Sequence, residues 1–144
     1  MKVIVDADAC PASVLKICRQ ATREFGIPLW TVASFHHQIE SEKHITVGDA
    51  PEETDIAVAN AARAGDIVVT QDWGLAALVV AKGAAALSPN GRIYRPESIP
   101  FLLEERSLKA RLRRGGVHTR GPAKRSPADD GRFAAALYKL LKRS

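Results

Sequence analysis

Two hydrophobic periods share this chain, one of strands and one of helices. Val3-Ile4-Val5 is a short β-branched run and reads as a buried strand over residues 2–6. Pro11 suits the first position of a helix, which follows over 11–25 and stops at Gly26. Leu29 to Ser34 reads as a second strand, followed by a polar loop with His36, His37 and Gln38. His44 to Val47 is a short third strand. Asp49-Ala50-Pro51-Glu52-Glu53 opens a helix over Pro51 to Ala64. Asp66 to Gln71 is the clearest later strand, and Trp73 to Lys82 is a helix ended by Gly83, with Trp73 assigned to packing. Ala84 to Leu87 is a short strand before the turn Ser88-Pro89-Asn90-Gly91. A basic helix over about 98–114 and a loop from Gly115 to Pro122 come next. The last helix spans 127–143; Ser126-Pro127-Ala128-Asp129 resembles a capping box, and Phe133, Leu137 and Leu140 form the apolar stripe. There is no internal repeat. Strands alternating with helices predict one α/β domain over 1–144, a mainly parallel sheet flanked by helices.

That topology gives meaning to the acidic positions. Asp6 and Asp8 follow the first strand and Asp72 follows the strand ending at Gln71, so all three fall at the C-terminal edge of the sheet. Ligands of open α/β sheets bind there. Asp55 sits in an early turn of a helix running antiparallel to the strands, which brings it to the same edge. It shares a stripe with Val58, Ala59 and Ala62 and can face inward. Asp66 begins its strand, belongs at the opposite edge and needs only a turn role. Converging carboxylates repel unless a cation or proton relieves them. Without a basic partner they suit Mg²⁺ or Mn²⁺, which prefer oxygen ligands. The competing reading is helix capping by Asp55 and Asp72, one residue at a time. Ser13, Thr70, Gln71 and Gly74 are candidates for a supporting shell: Thr70 and Gln71 to orient a carboxylate or water, Gly74 to admit close backbone approach.

Composition narrows the class. With 144 residues, 46% of them apolar, the chain has enough for one core, and no apolar run approaches the ~18 residues of a membrane span. No signal peptide is evident, so the cytoplasm is the expected compartment. Cys10 and Cys18 are separated by about 12 Å of rise if they share a helix, too far for a disulfide. Cys18 reads as core; Cys10 reads as capping and packing, with a lowered thiol pKa as the alternative at a helix start. Lys16 stands where a Cys-x5-Arg phosphatase loop needs arginine. The histidines lack ligand-like spacing, which argues against zinc. The net charge of +5 concentrates in Arg106, Lys109, Arg111, Arg113, Arg114, Arg120, Lys124 and Arg125, a segment without Asp or Glu. It is either a solvated face or a surface that tracks phosphates without reading bases.

Two stretches resemble a known family. Asp6-Ala7-Asp8-Ala9-Cys10-Pro11 and Gly65-Asp66-Ile67-Val68-Val69-Thr70-Gln71-Asp72-x-Gly74-Leu75-Ala76 look like signatures of the bacterial YaiI/YqxD family. Lys82-Gly83-Ala84, the Arg113-Arg114-Gly115 region, Gly121-Pro122 and the acidic start of the last helix extend the resemblance over nearly the whole chain. That family is grouped with PIN-like domains, typically metal-dependent nucleases. The resemblance implies a PIN-like three-layer fold and carries over Asp6, Asp8, Asp55 and Asp72 as the acidic cluster. Asp6 and Asp72 match the pattern best, and Asp55 more loosely. It implies phosphodiester hydrolysis of RNA, or less readily DNA, with Mg²⁺ or Mn²⁺ and no organic cofactor.

Other classes compete. Asp6-x-Asp8 also resembles the opening of haloacid-dehalogenase-type phosphatases, with Asp6 as nucleophile and Thr70 in the second motif. The later acidic motif then falls in the wrong order, since Gly48-Asp49 precedes Thr70. Toprim domains use Asp-x-Asp too, but need an earlier glutamate strand end. A non-catalytic reading also stands, in which the acidic edge holds a structural cation and the basic segment binds RNA without cutting it. Nothing in the pattern reads out an oligomeric state.

Overall fold

Alternation within β1 (Val3–Asp6) sets up two separate cores. Val3 and Val5 point to one face of the sheet and Ile4 to the other, all fully buried, as the two-residue period of a strand requires. The computed structural model describes residues 1–8, 10–37, 39–97, 111–112, 114–116 and 124–143. In chain order, β1 is followed by α1 (Ala12–Phe25), β2 (Leu29–Ser34), β3 (Lys43–Val47), α2 (Pro51–Ala61), β4 (Ile67–Val69), α3 (Trp73–Ala81), β5 (Ala85–Leu87), β6 (Ile93–Tyr94) and α4 (Pro127–Lys142).

The sheet order is β3-β2-β1-β4-β5-β6. The first five strands are parallel, and β6 closes one side antiparallel to β5. On one face α1 and α4 bury Val14, Leu15, Cys18, Phe133 and Leu137 against Val3, Val5, Ile67 and Val69. On the other, α2 and α3 bury Val58, Ala62, Leu75 and Val79 against Ile4, Val32 and Val68. This is the three-layer α/β architecture that the alternating pattern implies. Among the described residues no helix is long and apolar enough to cross a membrane.

The elements depart from the sequence reading at their ends. Pro11 caps α1, which starts at Ala12. The second helix stops at Ala61 because Ala62 turns to extended backbone, φ −71° and ψ 136°. The strand expected from Asp66 is confined to Ile67–Val69, because Asp66 closes a turn with its side chain. It accepts from the Arg63 N–H (2.8 Å), the Lys2 N–H (3.1 Å) and the Lys2 ammonium (2.5 Å) at the N-terminal edge. β6 has no counterpart in the sequence reading, being only two residues long after a turn. Most of the expected basic helix over 98–114 and of the loop after it lies outside the described residues; Arg111, Leu112 and Arg114 have helical backbone.

β1 and β4 are neighbours at the point where the strand order reverses. From β1 the chain winds outward through β2 and β3, then returns to β4 and winds the other way. At such a reversal the loops leaving the C-terminal strand ends diverge and leave a crevice.

Candidate functional site

Asp6, the last residue of β1, and Asp72, three residues beyond β4, stand on either side of that crevice. Asp8 joins them from the loop after β1, and Asp55 from the second turn of α2. All four expected carboxylates line one open cleft of about 520 Å³, with Ser34, His36, Glu52 and Thr54.

The environments of these carboxylates differ. Asp6 is pushed up from 3.8 to about 6, chiefly by burial, and further by the charges of Asp55, Asp8 and Asp72. A hydrogen bond from the Thr70 hydroxyl to Oδ2 (3.0 Å) opposes that rise without cancelling it. Asp8 is shifted the other way. Burial raises its pKa, but four donors together outweigh burial and hold it below the usual range. His37 Nδ1 lies 2.8 Å from Oδ1 and the Ser34 N–H 3.0 Å from both oxygens. The hydroxyls of Ser34 and Thr54 donate at 3.1 Å. Asp55 is raised by burial, then by the charge of Asp72, with which its carboxyl shares a hydrogen bond. Asp72 also caps α3, with Oδ1 accepting from the Leu75 N–H at 2.9 Å. The capping reading and the cleft reading are therefore both true of Asp72.

Thr70 is the hub of the expected supporting residues. Its hydroxyl donates to Asp6 and accepts from the Asp72 N–H (3.0 Å), which fixes the two carboxylates relative to each other. Its carbonyl accepts from the Tyr94 hydroxyl (3.4 Å), whose pKa burial pushes up to about 12, so the phenol keeps its proton. Gly74 borders the Asp72 carboxylate: a Cβ there would sit 3.2 Å from Oδ1. Gln71 is exposed and lines an adjacent cleft instead. Ser13 is not in the acidic cleft. Its hydroxyl donates to Asp130 Oδ1 (2.8 Å) and ties α1 to the first turn of α4. Ser34, Thr54 and His37, which hold Asp8, escape a reading of the sequence. Neutral side chains carry no periodic signal, and only the nearness of Thr54 to Asp55 hints at one of them.

The lowered-thiol alternative for Cys10 is overturned. Burial, with the charge of Asp6, pushes the thiol up to about 12, and Sγ rests 3.6 Å from the Pro11 carbonyl. Within the basic segment, Arg106, Lys109, Arg113 and Arg120 lie outside the described residues. Arg111, Arg114 and Lys124 are exposed. Arg125 is a clamp rather than a free cation. Nε and Nη2 bind Asp130 Oδ1 at 3.0 and 2.5 Å, and Nη1 binds the Pro89 carbonyl at 2.9 Å.

The donor chemistry of the acidic cleft suits a hard divalent cation. It offers carboxylate oxygens, with one acid, Asp6, whose charge burial disfavours first and its acidic neighbours second, so that a positive charge relieves it. Among the described residues, however, no three His, Cys, Asp or Glu side chains are gathered closely enough to form a metal cage. The arrangement fits an ion that keeps several waters and is completed by substrate oxygens, as Mg²⁺ commonly is.

Comparison with known proteins finds relatives along nearly the whole chain. Residues 4–143 match the family model described as "Uncharacterized BCR, YaiI/YqxD family". A UPF0178 protein of Heliobacterium modesticaldum is 55% identical over 142 residues, covering 99% of this chain and 97% of its own. A UPF0178 protein of Ruminiclostridium cellulolyticum is 40% identical over 144 residues (99% and 93%), and one of Clostridium acetobutylicum 37% over 147 (99% and 98%). The chain belongs to the YaiI/YqxD family.

Proposed function

We propose that this protein is a Mg²⁺- or Mn²⁺-dependent nuclease that hydrolyses phosphodiester bonds, of RNA in preference to DNA. The observation that carries the reading is the gathering of Asp6, Asp8, Asp55 and Asp72 around one cleft at the strand-order reversal, with Asp6 raised to about 6. A divalent ion bound there supplies a water of lowered pKa and positive charge facing a phosphate. Asp6, Asp55 and Asp72 are the oxygen donors that would hold it. Thr70 keeps Asp6 and Asp72 in register, and Asp8, held by Ser34, Thr54 and His37, fixes the cleft wall. Exposed Arg111, Arg114 and Lys124 are the described members of the segment assigned to the nucleic-acid backbone.

The test is cleavage of end-labelled RNA with Mn²⁺, compared with binding of the same RNA in chelator. Cutting by the wild type is expected, and loss of cutting in both Asp6→Asn and Asp72→Asn. Binding in chelator should be unchanged or tighter in those variants, because each removes a negative charge. Binding without metal-dependent cutting would overturn the enzyme reading. Hydrolysis of small phosphomonoesters through Asp6, with nucleic acids left intact, would replace it with the phosphatase reading.

A further inference from the structure

A second cleft, of about 600 Å³, opens beside the acidic one. It lies between the start of α3, the β5–β6 turn and the first turns of α4, and is lined by Trp73, Tyr94, Arg92, Asn90, Gln71 and Arg132 among others. We infer that this cleft seats an unpaired base of a single-stranded nucleic acid whose backbone continues into the acidic cleft. The inference rests on the nuclease reading for its direction, but its own evidence is the make-up of this cleft.

The half-buried Trp73 is held rather than loose. The buried Tyr94 ring meets it edge to face, with centroids 5.8 Å apart at 70°, and the Tyr94 hydroxyl is anchored on Thr70. The exposed Arg92 guanidinium lies over the indole, 5.8 Å from the ring centroid, and places a positive charge beside it. Arg132 pairs with Asp129 inside α4, so the cleft carries one net positive charge, that of Arg92. An oriented aromatic ring, a planar cation and two carboxamides, in an open rather than enclosed cleft, match the platforms on which unpaired bases stack. A base inside a duplex has no exposed π-face to offer. Position adds to this chemistry. Gln71 and Trp73 flank Asp72 in sequence, and Asp72 lines the acidic cleft, so consecutive residues of one loop line the two clefts.

Trp73 can be read directly. The chain has two tryptophans, and Trp30 sits in β2 between the ammonium groups of Lys2 and Lys43, away from both clefts. In a Trp30→Phe background, a ten-nucleotide single-stranded RNA titrated in chelator should quench Trp73 emission saturably. The same sequence as a duplex should not. Trp73→Ala and Arg92→Ala should each weaken binding by about tenfold, whereas Trp73→Phe, which keeps a stacking ring, should stay near wild type. Arg92 is exposed, so its variant keeps the test valid if Trp73→Ala fails to fold. Binding with silent Trp73 emission and unchanged affinity in the Ala variants would overturn the inference, and would leave the nuclease reading standing if RNA is still cut. Quenching without metal-dependent cutting would support the base site and overturn the nuclease reading. Absence of any RNA binding would overturn both.

Discussion

Asp6 and Asp8 are two residues apart and have opposite signs of effect on stability. Asp6 has a folded-state pKa of about 6, above the 3.8 expected of an unfolded chain. Well below pH 3.8 both states are protonated and there is no penalty. As pH rises from there to about 6, the unfolded chain releases its proton while the folded one retains it, so stability falls. Above that window the penalty is roughly 3 kcal/mol, because each tenfold change in proton affinity is worth about 1.4 kcal/mol. Asp6→Asn should therefore raise the thermal midpoint at neutral pH by several degrees, with the advantage shrinking toward pH 4; melts at a series of pH values would check it. Excess Mn²⁺ should raise the midpoint of the wild type more than that of Asp6→Asn, because a ligand stabilises only the state that binds it. Asp8→Ala should do the reverse of Asp6→Asn. It strands donors of the buried Ser34 and Thr54 and should lower stability by about 1–2 kcal/mol, read as a lower denaturant midpoint. Asp6 and Asp72 were legible because each follows a β-branched run, a local signal. The partners that separate Asp6 from Asp8 were not, because Ser34 and His37 come from the end of β2 and its turn and Thr54 from α2, segments whose meeting depends on the finished sheet.

The elements were legible wherever burial imposes a pattern. β1 through α3 could be read because short apolar runs alternate with segments bounded by helix start and stop residues, such as Pro51 with Glu52 and Glu53, and Gly83. Their ends were less legible, because single side-chain contacts decide them: Asp66 closing its turn shortens β4, and Asp72 capping α3 starts that helix. β6 escaped because two residues carry no period. The β5–β6 turn is nonetheless tightly specified. Gly91 has φ +89°, and a Cβ there would lie 2.6–2.8 Å from the backbone of Arg132 and Phe133 in α4. Gly91→Ala should cost about 2–4 kcal/mol, from the left-handed backbone and the forced separation of the turn from the helix. Urea unfolding would show the drop, and the wall of the Trp73 cleft should be disturbed with it.

For the whole molecule, charge is sorted as well as chemistry. Six carboxylates, those of Asp6, Asp8, Asp49, Glu52, Asp55 and Asp72, line one cleft, while the net charge of +5 has its densest source in the segment from Arg106 to Arg125. If that segment tracks phosphates, Arg111→Ala and Arg114→Ala should weaken oligonucleotide binding alike across sequences. Each should also lower the slope of log affinity against log salt by about one, measured in chelator from about 50 to 200 mM salt. Overall topology was legible because alternating elements leave few arrangements. The second cleft was not, because its walls come from β4–α3, the β5–β6 turn and α4, which no local window spans. The central place of β1 bears on how the protein is made. Val3 pairs with Leu29 on one side but with Ile67 on the other. During synthesis at about 5–20 residues per second, β1 and β2 stand ready for several seconds with one apolar strand edge open. A nascent chain stalled before Ile67 should therefore be prone to clumping and draw chaperones, whereas one that has passed β5 has given β1 and β4 all their partners in the sheet.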